Sequence, residues 1–252
     1  TRLLARRSLI IDTLKSTAYM QLSTFSSGNK LRKFFRHSFK RMNKLSVKYL
    51  IIDLRINTGG SINIATKLTK YLANHPFNVA DSIYTKQRSY YYAKHIKPKL
   101  GFYLNALFNT RKLGDGNYHM VKYETTLHKP KKNNHFDGNI YYLTAGYTFS
   151  ASTLHLSQMA AQKNMLVVGE ETGGGYYGLS AVNTPYLHLP NSGLRISIPK
   201  YRQVFDAARP KTGRGFMPNV YVAPNEETIR KGIDGKLQKA KELIDEQRKI
   251  EN

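Results

Sequence analysis

Residues 17–25, TAYMQLSTF, alternate apolar and polar positions with the period of two expected of a strand buried on one face. From 29 to 48 the period lengthens. Leu31, Phe34, Phe35, Met42 and Leu45 fall near helical spacing and predict an amphipathic helix. KYLIIDLRI, 48–56, is a continuous apolar run between polar residues, which suits a strand covered on both faces. NTGG, 57–60, breaks that run, and SINIATKLTKYLAN resumes the helical period with Ser61 as a candidate N-cap. The same order then returns: NIYYLTA predicts a strand, GYTFSAS a turn, TLHLSQMAAQKN a helix and MLVVGE a further strand. Strands alternating with helices predict an α/β domain.

Between these units, 79–138 is rich in Tyr, Lys and Asn and has no clear period, so it is expected to be an irregular insertion. Past the second unit, AVNTPYLHLP and GLRISIP alternate around NSG and read as a hairpin-like pair. The last stretch, 226–251, predicts one helix packing through Ile229, Ile233, Leu237, Ala240 and Ile244.

Composition adds limits to this picture. With 252 residues, 40% of them hydrophobic, the chain has the material for one large core, and a single domain spanning 1–252 is expected. No apolar run approaches the ~20 residues of a membrane-spanning helix. Cysteine is absent, which excludes disulfides, thiolate metal sites and a cysteine nucleophile. The eight histidines form no H-x-x-x-H or H-E-x-x-H pair, so a histidine-only metal site stays possible but lacks a motif. Forty Lys and Arg against sixteen Asp and Glu give a formal charge of +24, densest in 29–48. Such a field attracts anions. Without a zinc-finger, RNA-binding or phosphate-loop motif, it predicts a solvated basic helix face and at most non-specific nucleic-acid binding. The chain opens on Thr1 and is expected to be the C-terminal part of a longer protein.

Ser150 heads the second predicted helix, where a serine is ordinarily an N-cap. A nucleophile at the same place needs oxyanion donors and a base. The N–H of Ala151 at the helix start is one candidate donor. The Gly59–Gly60 turn, open to close approach, offers a second.

Asp53-Leu54-Arg55 with Gly59-Gly60, then Ser150-Ala151-Ser152, then Val167-Val168-Gly169-Glu170 together resemble the core of the C-terminal processing (tail-specific) peptidases, which are serine peptidases. The resemblance runs from about residue 17 to 222. It implies a crotonase-like or Clp-protease-like α/β core with a mixed central sheet. It also implies Ser150 as nucleophile, Ala151, Gly59 and Gly60 as oxyanion donors, no metal or organic cofactor, extended or unfolded polypeptides as substrates, and a bacterial periplasm or cell-envelope location. Where one branch of the family carries a lysine base, this chain has Gly175. It is therefore closer to the tricorn and retinoid-binding-protein-like branch, which uses an upstream histidine, yet no histidine precedes His37. The base is expected in an N-terminal region of the same protein, with Asp206 the nearest candidate orienter. The competing expectations are a catalytically silent peptide- or ligand-binding module of the same fold, and an anion or nucleic-acid binder acting through the basic helix.

Overall fold

The computed structural model describes residues 6–90, 92–97, 100–182 and 184–251. They divide into two compact units, where the sequence suggested one domain. The first comprises the described residues of 6–77, 129–176 and 213–251, and the second those of 78–128 and 177–212.

In the first unit the elements follow in the order β1 (Arg7–Asp12), β2 (Thr17–Leu22), α1 (Leu31–Lys44), β3 (Tyr49–Asp53), α2 (Ile62–Leu72), β4 (Asn139–Thr144), α3 (Ala151–Met159), β5 (Met165–Gly169), β6 (Val220–Tyr221), α4 (Glu226–Arg230) and α5 (Gly235–Glu251). The six strands make one sheet in that same order. β1 pairs antiparallel with β2, and every other neighbouring pair is parallel. This is the mixed central sheet of an α/β protein.

β3 shows why an unbroken apolar run was needed. Leu50 and Ile52 belong to the cluster that α1, α2 and α3 cover, with Phe35, Phe39, Leu68 and Leu156. Tyr49 and Ile51 point the other way, into a cluster completed by Ala240 and Ile244 of α5. Alternate residues of a strand face opposite sides, so a strand between two helical layers must be apolar throughout. Each such side chain contributes ~1.5–3 kcal/mol by its burial. In α1 the buried stripe is Leu31, Phe35, Ser38, Phe39 and Met42, while Arg32, Lys33, Arg36, Lys40 and Arg41 are exposed, giving the basic outer face that the periodicity predicts. Phe39 stacks on Tyr71 of α2 with ring centres 4.4 Å apart.

Two expectations are corrected. The C-terminal stretch is two helices. Gly232 takes a left-handed conformation (φ 63°), its N–H bonds Ile229 O, and Ile233 N–H bonds Thr228 O, closing α4 before α5 begins. Ile229 and Ile233 are consequently exposed, whereas Ala240 and Ile244 are buried and Leu237 packs partly against them. The described residues of the insertion likewise contribute to regular sheets. Strands 178–181, 201–204, 82–85, 118–119 and 111–112 lie side by side in one sheet, joined throughout by antiparallel pairs. A smaller sheet joins 195–197, 186–188 and 96–97, and contains the predicted hairpin. The second unit needs both its chain segments, because 201–204 of one pairs with 82–85 of the other. The first of these segments read by itself as irregular, and the second as no more than a hairpin-like pair.

Among the described residues no helix is long and apolar enough to cross a membrane.

Candidate active site

β3 and β4 are adjacent and parallel, so the turns that follow them emerge at the same end of the sheet. The crevice outside the carboxyl ends of parallel strands is where α/β proteins place ligands. The first turn holds Asn57, Gly59 and Gly60; the second holds Thr148, Phe149 and Ser150.

Asn57 binds these turns together. It is fully buried, its Nδ2 donates to Leu22 O of β2 at 3.0 Å, and its Oδ1 accepts the Gly59 N–H at 3.0 Å. Its carbonyl accepts the Phe149 N–H at 3.1 Å and the Ser152 hydroxyl at 3.0 Å. Thr148 adds a bond from its hydroxyl to Leu54 O at 2.9 Å. The sequence reading passed over Asn57 as an ordinary turn residue. A polar amide directly before a glycine pair, at the end of a fully apolar strand, was the available signal.

Ser150 sits at φ 54°, ψ −116°, a conformation rare for any residue with a side chain. Its side chain does not cap α3, and its hydroxyl has no hydrogen-bond partner among the described residues. Ser152 does not cap the helix either, since its hydroxyl is held by Asn57. Backbone strain of this kind costs ~1–3 kcal/mol and persists only where neighbours impose it. Here the Phe149 N–H is held by Asn57, and Thr153 Oγ1 donates to Ser150 O at 2.9 Å. Gly59 lies directly against the turn: a Cβ there would fall 2.7 Å from Ser150 Cβ and 2.9 Å from Ala151 N.

The expected oxyanion donors divide. The Ala151 and Gly60 N–H groups have no acceptor among the described residues, and Gly60, exposed at φ 138°, has no room for a side chain against Phe25. The Gly59 N–H is engaged by Asn57, so its expected role as a donor is corrected: Gly59 contributes space.

Acid–base partners are the missing part. Gly175, at the family's lysine position, bridges to Gly215, and the preceding Gly174 packs against Thr153 and Ser150 N. Glu170 pairs with Lys236, and Glu171 with Arg214 and the Gly215 N–H, so both acids hold loops. Asp206 belongs to the second unit, where its oxygens accept the Ala208 N–H at 3.0 Å and pair with Arg209 at 3.1 Å. These are local turn contacts. His37 is exposed on α1, in a hollow with Arg7, Phe34 and Arg41 that does not include Ser150. His155 of α3 is completely buried between Thr69 Oγ1 and Tyr142 OH, each 2.8 Å from a ring nitrogen, and burial pulls its pKa down to about 3. It is a neutral core residue with both nitrogens occupied.

Asp53 and Arg55 form a clamp rather than a reacting pair. Asp53 accepts Arg55 and the Tyr19 hydroxyl, and Arg55 reaches on to both oxygens of Asp234 at the head of α5. Burial opposes the Arg55 charge, but the two carboxylates more than compensate and raise its pKa. Among the described residues there is no group of three side chains suited to a metal ion.

A strained serine on a strand-to-helix turn, with unengaged N–H groups beside it, is the arrangement of a hydrolase of the serine type. The chain belongs to peptidase family S41, whose family model matches residues 16–222. It is thus a member of a serine peptidase family. Among solved structures it is similar to a peptidase candidate from Parabacteroides merdae, with TM-score 0.64, 19% identity, and coverage of 94% of this chain and 64% of that one. It is similar also to mature CPAF (TM-score 0.60, 14% identity, coverage 94% and 53%). The photosystem II D1 C-terminal processing protease is a third such structure (TM-score 0.50, 18% identity, coverage 82% and 42%). At these identities the likeness is one of fold, and the chain spans less than two thirds of the length of each. No curated protein matches it.

Proposed function

We propose that this chain is the nucleophile-bearing part of a serine endopeptidase acting on extended or unfolded polypeptides. Ser150 Oγ attacks the scissile carbonyl, and the Ala151 and Gly60 N–H groups receive the oxyanion. The carrying observation is Ser150 itself: a non-glycine residue held at positive φ, with a hydroxyl that no neighbour uses. The exposed apolar side chains of Ile56, Tyr147, Phe149 and Met217, on the loops beside these turns, suit binding of an unfolded chain. The base comes from a segment of the protein outside these residues, in line with the fraction of its solved relatives that the chain spans. A bacterial periplasm or cell envelope is the proposed setting.

The absence of a titratable partner for Ser150 among the described residues favours one other reading, a silent peptide-binding module. Cleavage of an unfolded protein substrate decides between them. The chain alone is expected to show little activity. The longer protein is expected to cleave and to lose at least about 10³-fold of its rate on Ser150→Ala. Cleavage by neither favours the silent module; strong Ser150-dependent cleavage by the short chain means it carries its own base, with His37 the first to replace.

A further inference from the structure

The second unit holds an open hollow of about 730 Å³, walled by the strand 201–204, its neighbour 82–85 and the segments beside them. Lys86, Lys200, Arg202 and Lys211 line it, and among the described residues no aspartate or glutamate does. None of these four cations takes part in an ion pair among the described residues, in a unit that has acids elsewhere. Tyr84, Tyr90 and Tyr201 supply aromatic wall.

Lys200 is the anomaly. Its side chain is 7% exposed, Nζ donates to Ser89 O at 2.8 Å, and it lies 4.1 Å from the centre of the Tyr90 ring. Buried charges are ordinarily paired, and a carbonyl with a ring face replaces only part of an ammonium's hydration. Burial lowers its pKa to about 8, so at neutral pH it still carries its charge. Beside it, the Tyr201 hydroxyl is buried without a hydrogen-bond partner. Arg202 and Lys211 also lie over a ring, that of Tyr177, and cations held by ring faces and a carbonyl around one concavity, with no carboxylate among its described residues, describe a place for a negatively charged acceptor.

We propose that this hollow binds a carboxylate of a polypeptide, with the Lys200 ammonium as its principal partner. The choice of a polypeptide rests on the peptidase reading, because such a substrate carries carboxylates at acidic side chains and at its C-terminus. The tyrosine walls accept the hydrocarbon adjoining the charge. A site of this kind selects or tethers acidic segments and takes no part in bond breaking.

The test is binding, measured by fluorescence anisotropy on the full chain carrying Ser150→Ala. The probe is a labelled peptide with one internal glutamate and a free C-terminus. Its Glu→Gln and C-terminally amidated forms show which carboxylate is read. Lys200→Met is expected to weaken binding roughly tenfold or more. Lys33→Met on α1, which removes the same charge from an exposed helix face, is expected to change it less than about twofold. If Lys200→Met does not fold, Lys211→Met is the second variant, with about threefold weakening expected. Equal effects of the hollow and α1 variants would mean that bulk charge alone attracts the peptide, and the proposal falls. It falls also if inorganic phosphate binds with Lys200 dependence while neither carboxylate matters, since the site would then read phosphoryl groups. Because binding is read without cleavage, a failure of the peptidase reading leaves this measurement intact.

Discussion

Two serines stand at the heads of two neighbouring helices, and the sequence presents them alike. Ser61 follows β3 and its glycine turn; Ser150 follows β4 and its turn. Neither side chain caps its helix. Ser61 rests at φ −76°, ψ 121°, an ordinary extended conformation, while Ser150 is held at φ 54°, ψ −116°. The difference lies in what surrounds them. The Ser61 N–H joins Phe25 O in a regular bridge, whereas Ser150 is bent by Asn57, Thr153 and Gly59 converging on its turn. A helix-start serine is therefore informative by its imposed geometry and not by its position.

The sharpest way to break that contrast is to fill the space beneath Ser150. Gly59→Ala would place a methyl group 2.7 Å from Ser150 Cβ and force alanine to φ 101°. A loss of about 2–5 kcal/mol in urea unfolding is expected, together with loss of peptidase activity in the longer protein. A variant of unchanged stability would show that the turns do not abut.

Asn57→Ala comes next. It leaves the Gly59 N–H and Leu22 O without partners in a buried site, and ~2–4 kcal/mol of destabilisation is expected in the same assay. The companion change Ser61→Ala is expected to stay within about 0.5 kcal/mol.

Acid titration probes the helix behind the serine. His155 is neutral in the fold, with a pKa of about 3 against 6.5 in an unfolded chain. Between those values the unfolded state binds the extra proton. Stability is therefore complete above about pH 6.5 and falls by about 1.4 kcal/mol per unit as pH drops below it. His155→Gln is expected to flatten this acid limb in pH-dependent unfolding; an unchanged limb would place the responsible group elsewhere.

The smallest expected effect tests the strain itself. Glycine tolerates positive φ, so Ser150→Gly is expected to raise stability by about 1 kcal/mol while removing the nucleophile. Ser61→Gly, at a relaxed position, is expected to give no such gain by calorimetry.

How much of this was legible in the sequence follows from the range of each interaction. β3, α1 and the serine turn announced themselves because their periods and turn residues are local. The Asp53–Arg55–Asp234 clamp was not visible, since Asp234 lies 179 residues from Arg55. Asn57 was overlooked because its work is done across the sheet, on Leu22 and Phe149. The Gly59 N–H was misassigned for a different reason: its acceptor is only two residues away, but its occupancy depends on the rotamer of Asn57, which the sequence does not show. The second unit escaped because its sheet is shared between two chain segments, neither of which carries a long period of its own.

That shared sheet also bears on how such a chain can change over generations. The six strands of the first unit lie in space as they lie in sequence, and its chain is interrupted twice, after Phe77 and after Tyr176. At the second interruption the ends are already zipped, by the bridge between Gly175 and Gly215 and by Tyr176 N–H bonding Arg214 O. A short turn could join them without disturbing a strand of the sheet. Losing 177–212 alone, however, would strip 82–85 of one of its two partner strands, leaving 118–119 on its other edge. The two insertions thus depend on each other through one strand pair, and a chain shortened at one of them alone is expected to expose a sheet edge at the other.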